Sequence, residues 1–403
     1  MIKTLTSAFK NKDIRKKLLY TLMMLVVIRI GSLLPIPGVD TEYFSTLLSG
    51  FNSGDLSYLS AFTGGSFEKM SLFALSITPY ITSSIIMQLL TIAIPKLEEM
   101  QKEGEDGRKK IASITRYVTI ALALIESIAM AVGFGRQGLI KDYKDMSTIH
   151  YVTCIIVVVA ALTAGSAVLM WIGERITEKG VGNGISIVLL INIISGMPSD
   201  FVTLYSTFVA NKSIARGVTV AVIIAAIVIA VVVLVVILQD GERRIPVQYS
   251  QKVAGRKTIG GQATNIPLKV NTAGVMPIIF ASSIMQFPVI IVQLFTSNSY
   301  EWTKYLSQSY WCRVQMPKYS IGLLLYIILV VVFAYFYTSI TFNPVQIADN
   351  LKKAGGVVPG ITPGRSTSEY LNKILNYIVF IGAVGLMIVA LIPIMCTGFF
   401  NAS

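Results

Sequence analysis

Apolar residues gather in nine long runs, at about residues 18–34, 71–94, 111–132, 151–171, 184–194 extending toward 208, 218–238, 273–295, 321–340 and 374–394. A helix rising 1.5 Å per residue needs about 20 such residues to cross a bilayer core. The pattern therefore predicts nine transmembrane helices, which satisfy their own backbone polar groups in lipid. The alternating ten-residue strands of a membrane barrel are absent. One run is irregular. "FTGGSFEKMSLFALSITPYITSSIIMQLL" (62–90) opens on two glycines and a Glu-Lys pair and carries a proline before its apolar half. Its composition predicts a loose, weakly packed front end, followed by a span dotted with Thr78, Thr82, Ser83, Ser84 and Gln88.

Charge orients the predicted helices. The N-terminal segment holds six Lys/Arg (Lys3, Lys10, Lys12, Arg15, Lys16 and Lys17). The even-numbered loops together carry more than the odd ones, so the N-terminus and the even loops are expected to be cytoplasmic. The net charge of +13 follows mainly from that bias, and it also suits partners rich in phosphate or acid. The basic start leads into a run ending "GSLLPIPG", with no small-x-small cleavage site, so the first helix is expected to remain.

Composition removes several function classes. With 54% hydrophobic and 14% charged residues and a mean hydropathy of +0.68, the chain does not read as a soluble enzyme. Within the spans, Arg29 and Glu126 are the clear ionisable residues, whereas an ion-coupled transporter needs buried coupling groups. "AGRKTIGG" near Gly255 lacks the Gly-Lys-Ser/Thr of a nucleotide-binding loop. Cys154, Cys312 and Cys396 lie far apart without a pairing pattern, and His150 is the single histidine. No catalytic residue, metal site or cofactor is expected, and the energy for any transport would come from elsewhere.

Polarity collects in two places. Two cytoplasmic loops are long for connectors. Residues 239–270 hold Arg243 and Arg244, then Arg256 and Lys257, with β-branched and aromatic residues between, which predicts a projecting hairpin. Residues 342–374 contain an amphipathic helical stretch at about 345–353, ending in Lys352 and Lys353, then a Gly/Pro turn cluster. Spaced basic pairs suit RNA phosphates or acidic patches on a docking protein. Inside the spans the polarity is mild, and small or hydroxylated residues serve either close helix contact or a wet path. Ile77, Ile81 and Gln88 fall on one helix face, as do Ile185 and Leu189 just inside Gly182-Asn183-Gly184. Aliphatic residues meeting around an axis would make a deformable apolar constriction; ordinary helix packing produces the same spacing.

The chain resembles the SecY family, the channel subunits of the bacterial Sec protein translocon. The matching segments are "RIGSLLPIPGVD" (29–40), "FTGG…FALSITPYITSSIIMQLL" (62–90), "KEGEDGRKKI" (102–111), "ITEKGVGNGISI" (176–187), "GERRIPVQYSQK" (241–252), "PLKVNTAGVMPIIFASSI" (267–284) and "FNPVQIADNLKKAGGVVPGITPG" (342–364). The resemblance implies an all-α polytopic membrane protein, with two pseudo-symmetric five-helix halves, about 1–212 and 213–403, around an hourglass pore. Ile77, Ile81, Ile185, Leu189 and Ile279 would form the pore ring. Residues 53–67 would be the plug, with Phe62, Thr63, Gly64, Gly65 and Ser66 as its hinge-like end. Gln88 and Asn271 would be polar contacts of a lateral gate. Arg243, Arg244, Arg256, Lys257, Lys352, Lys353 and Arg365 would dock the motor ATPase SecA or ribosomal RNA.

The same resemblance implies a passive protein-conducting channel in the bacterial plasma membrane, opened by signal peptides and nascent chains. SecE and SecG subunits and membrane lipid would be its partners. The readings from other classes are a small-solute secondary transporter and a membrane scaffold. Two departures stand out. The family's Gly-Ile-Arg-Pro-Gly tip is here Gly360-Ile361-Thr362-Pro363-Gly364, which puts that docking contact in doubt, with Arg365 three residues on. The family has ten spans, and nine are counted up to Ser403.

Overall fold

Asn11 accepts a hydrogen bond from the Asp13 amide at 3.1 Å and starts α1 (Lys12–Leu33), as short polar side chains do at helix N-termini. This computed structural model describes residues 10–50, 63–140, 147–206, 214–249, 252–254, 257–259, 263–295, 300–313 and 316–400. The described chain is mostly helical, with two compact units, Met1–Thr203 and Leu204–Ser403.

The first unit holds α1, α2 (Thr41–Gly50), α3 (Thr78–Ala93), α4 (Pro95–Lys102), α5 (Glu105–Phe134), α6 (Thr148–Lys179) and α7 (Gly184–Leu204). Thr78–Ala93 and Pro95–Gln101 are bent by 106°. Pro95 explains the break: its ring drives the preceding Ile94 into extended backbone (φ −111°, ψ 111°). Small and hydroxylated residues bring the helices together. Ser83 and Thr119 hydroxyls lie 2.5 Å apart between α3 and α5, and Ser127 and Thr163 lie 3.1 Å apart between α5 and α6. A Cβ on Gly165 would stand 1.9 Å from the Leu72 carbonyl oxygen, so α6 approaches residue 72 only because that position is glycine.

The second unit holds α8 (Ile214–Asp240), β1 (Glu242–Tyr249), β2 (Lys252–Ala254), β3 (Lys257–Ile259), β4 (Ala263–Lys269) and α9 (Met276–Phe295). It continues with α10 (Thr303–Leu306), α11 (Ile321–Thr341), α12 (Pro344–Lys353), β5 (Gly356–Val357) and α13 (Arg365–Phe400). The expected hairpin is present: β1 and β4 pair antiparallel from Glu242↔Lys269 to Gln248↔Ala263. The second long loop joins it, because β5 pairs with β1 through Gln248↔Val357 and Tyr249↔Gly356. Ile245, Val247 and Leu268 from the hairpin, Leu351 and Val358 from the second loop, and Leu371 and Ile378 of α13 form one apolar core. The two predicted docking loops are thus a single folded module.

Helices occupy all nine predicted apolar runs. Among the described residues six are long and apolar enough to cross a membrane singly, and the bent α3–α4 pair would make seven. Of the remaining two runs, α1 is interrupted by Lys16, Lys17 and Arg29, and α9 has a shorter apolar helical stretch, Met276–Val289. Residues 71–77 depart from expectation. They form turns, and helix begins only at Thr78, where Pro79 supplies the fixed φ that suits a first helical turn.

Leu371 is fully buried in the shared core of the two loops. Leu371→Ala should cost about 2–5 kcal/mol locally and speed tryptic cleavage after Arg243 and Arg244. The exposed Leu324→Ala should leave the cleavage rate unchanged. Equal rates for both variants would mean that the loops do not share a core.

Candidate functional site

Three side-chain caps set where α7 begins. Thr21 Oγ1 accepts from the Val181 amide at 3.2 Å, Thr177 Oγ1 from Gly184 at 2.9 Å, and Asn183 Oδ1 from Ile185 at 3.1 Å. A Cβ on Gly184 would lie 1.9 Å from the Gly173 carbonyl oxygen, so the turn is pressed against α6. From this start Ile185 and Leu189 stand one turn apart. On α3, Ile77 is the residue before the helix, yet the Ile81 amide bonds to its carbonyl at 3.1 Å, so these two also stack. All four pack into or against one cluster built on Ile28, Phe73, Leu169, Ile172, Ile176 and Val188. Ile77 is fully buried, while Ile81, Ile185 and Leu189 are partly exposed. In the second unit Ile279 is buried on α9, beside Phe280, whose ring meets Phe333 edge-on at 5.7 Å.

Directly before α3 lies the segment expected to be loose. Phe62 and residues 53–62 fall outside the described residues; Thr63 to Ser66 are described and are well packed. Thr63 and Ser66 are 2% and 1% exposed. Thr63 Oγ1 accepts from the Phe67 amide at 3.3 Å, and the Ser66 carbonyl accepts from the Ser71 amide at 3.0 Å. Gly64 and Gly65 turn through φ of 63° and 77°, the region that favours glycine. They serve a tight turn rather than looseness. Phe67 joins Phe44 and Phe134 in an edge-to-face trio with centroids 5.2–6.5 Å apart. Two non-glycine residues, Met70 and Ser76, also take positive φ, of 41° and 53°. The backbone here is strained and held by its surroundings.

Those surroundings include residues that the sequence reading did not assign. The Arg29 guanidinium donates to Ser195 Oγ at 2.8 Å, and Ser195 in turn donates to the Asn192 carbonyl at 2.7 Å. The Asn192 amide donates to Ser76 Oγ at 3.0 Å. A Cβ on Gly64 would meet Ser195 Oγ at 2.6 Å and the Asn192 carbonyl at 2.7 Å. Arg29 of α1 and the polar notch Asn192–Ser195 of α7 thus clamp the turn segment. The in-span arginine and the polar pair in "INIIS" were the available signals.

The two gate candidates each find a partner in their own unit. Gln88 reaches Ser84 Oγ at 3.5 Å, and the Asn271 amide donates to Gln239 Oε1 at 3.3 Å. In the β1–β4–β5 module Arg243, Lys352 and Lys353 are exposed. Arg244 pairs with Glu242 at 2.6 Å, and Arg365, 93% exposed, pairs with Glu369 at 2.9 Å. Thr362 points its hydroxyl at Ser366 Oγ, 2.9 Å away. Arg256 lies outside the described residues, and Lys257 is placed as the first residue of β3.

Comparison with known proteins decides the family. The SecY family model matches residues 71–403. The protein translocase subunit SecY of Corynebacterium glutamicum is 41% identical over 395 residues, covering 96% of this chain and 87% of that protein. The chain belongs to the SecY family. The Halalkalibacterium halodurans SecY is 40% identical, covering 98% of this chain and 89% of its own length. Among solved structures, a protein-conducting channel superposes with a TM-score of 0.58 at 17% identity, over 96% of this chain and 86% of that one. The canine Sec61 in a ribosome-channel complex gives 0.55 at 17% identity, over 96% and 91%. The fold is therefore that of the SecY and Sec61 channels, and the chain is a multi-pass membrane protein.

The clamp makes a direct prediction. Gly64→Val places a branched side chain against Ser195 and Asn192 at a positive φ, a strain of about 1–3 kcal/mol. Amide hydrogen exchange of residues 63–72 should quicken by roughly tenfold or more, with α5 and α6 unchanged. Arg29→Gln should do the same more weakly. Unaltered exchange in both variants would remove the clamp.

Proposed function

We propose that this SecY-family chain is a passive protein-conducting channel, through which unfolded polypeptides cross and from which membrane helices leave sideways into lipid. The observation that carries the reading is the aliphatic cluster at Ile77, Ile81, Ile185 and Leu189, capped by the clamped turn segment 63–77. An apolar ring needs no chemistry to seal a pore, only side chains that yield and return. In this reading the Thr63–Ser66 turn is the anchored end of the plug. Ile279 completes the ring from the second unit, and Gln88 and Asn271 line the lateral gate. The halves divide at about residues 1–212 and 213–403. A small-solute transporter is not supported, because the relatives are protein translocase subunits.

The chain would catalyse no reaction and hold no cofactor. It would sit in the bacterial plasma membrane with its N-terminus and the β1–β4–β5 module in the cytoplasm. SecE and SecG would assemble with it, and SecA or the ribosome would drive transport. Arg243, Lys352 and Lys353 are the cations of the module best presented to such partners, being exposed. Arg244 and Arg365 are already engaged by Glu242 and Glu369. An exposed pair of that kind is worth only about 0–1 kcal/mol, so a docking phosphate or carboxylate competes for it readily.

A secretory chain stalled during transport should cross-link to a photoreactive residue at position 81 or 88. A probe at Ile229, on the lipid-exposed α8, should not react. Equal labelling at all three positions, or at none, would contradict a polypeptide path along α3.

A further inference from the structure

Residues 300–313 and 316–320, between α9 and α11, carry a folded element that the channel reading leaves unused. Its frame is rigid. Trp311 is fully buried, its indole N–H donates to the Tyr305 carbonyl at 2.9 Å, and its ring lies 5.5 Å from Tyr326. The Cys312 amide donates to Ser320 Oγ at 3.2 Å. A Cβ on Gly322 would stand 1.7 Å from the Tyr305 carbonyl oxygen, so the element is pressed onto the start of α11.

Cations are gathered on this frame. The buried Tyr319 ring takes edge contacts from Tyr305 at 5.0 Å and Tyr310 at 6.0 Å. Lys318 Nζ lies 4.9 Å and Lys304 Nζ 6.0 Å from the Tyr319 centroid, and the Arg313 guanidinium lies 5.3 Å from that of Tyr310. Aromatic faces hold such cations in place. Among the described residues Glu301 is the carboxylate paired with them, 3.9 Å from Lys318. Arg313 Nε is buried with no hydrogen-bond partner among the described residues. A buried unpaired donor is costly, and among the described residues this one lacks an acceptor. Beside the cations Tyr300, Trp302 and Met316 are nearly half exposed. Tyr and Trp sit at membrane–water interfaces, and this element joins the ends of two apolar helices.

We propose that this element binds the phosphate of an anionic phospholipid headgroup in the outer leaflet, with Lys304, Arg313 and Lys318 holding the phosphate and Trp302 resting at the acyl boundary. A soluble anion would use the same cations but gives no reason for the exposed indole and phenol. The choice of leaflet rests on the orientation proposed above.

The test uses the full chain in symmetric nanodiscs, with Trp171→Phe leaving Trp302 as the exposed tryptophan beside the buried Trp311. Brominated phosphatidylglycerol should quench Trp302 fluorescence well beyond brominated phosphatidylcholine. Each of K304Q, R313Q and K318Q should weaken that preference, by about fivefold per cation. The triple variant should abolish it, and E301Q should strengthen it. K304Q alone, with an unchanged near-ultraviolet spectrum, keeps the test valid where the triple variant fails to fold. Equal quenching by both lipids, or a preference surviving K304Q and the triple variant, overturns the site. Relief of quenching by millimolar inorganic phosphate would assign it to a soluble anion and overturn the lipid proposal. Both leaflets carry the same lipid, so failure would leave the orientation and the channel reading untouched.

Discussion

A polypeptide in hydrocarbon must satisfy every backbone N–H and C=O from within the protein. Helices do this residue by residue, and each of the nine apolar runs holds a helix among the described residues. The segment 63–77 leaves the helix and so depends on its neighbours. Its amides bond to carbonyls at residues 63, 65, 66, 67, 71 and 73. Across to the chain after α1, Leu72 bonds to Leu34 and Ile36 to Met70. Arg29, Asn192 and Ser195 supply the side-chain bonds. A turn built this way draws its side-chain support from α1 and α7. That is the property a closure device needs: it is held by a few polar contacts that can be exchanged, beside aliphatic side chains that need none.

The apolar cluster and the polar clamp divide the labour. Ile28, Leu169, Ile172, Ile176 and Val188 are essentially inaccessible and give the first unit its rigidity. Ile81, Ile185 and Leu189 pack against that core while keeping part of their surface free. Side chains anchored on one side and free on the other can deform without unfolding the helix that carries them. In the second unit the β1–β4–β5 sheet brings two distant loops onto one core with α13, so basic residues at 243, 352 and 353 are presented on a folded surface rather than on separate mobile loops.

Apolar periodicity located the nine helical runs, because burial in lipid writes itself over 20 consecutive residues. The hairpin at 242–269 was legible through its length and the β-branched and aromatic residues between its basic pairs. What periodicity missed is structure made by single contacts. Gly64 and Gly65 read as looseness, since composition does not distinguish a glycine needed for a positive φ from one that merely adds freedom. Ser71 to Ile77 read as helix, since apolar burial in a turn looks the same as apolar burial in a span. The β5 strand has two residues, too short for alternation to register. The Arg29–Ser195 bond joins positions 166 residues apart, beyond the reach of any local pattern. The roles proposed for the ring and gate residues came from the family resemblance, not from spacing.

The aliphatic residues at 81 and 185 are proposed as the compliant seal of a channel. Ion conductance of the purified channel in a planar bilayer, with no polypeptide substrate present, tests this most directly. Replacing Ile81 and Ile185 with serine should leave the fold intact and raise the resting ion leak well above that of the unaltered protein. A stably folded double variant with unchanged conductance would contradict the account.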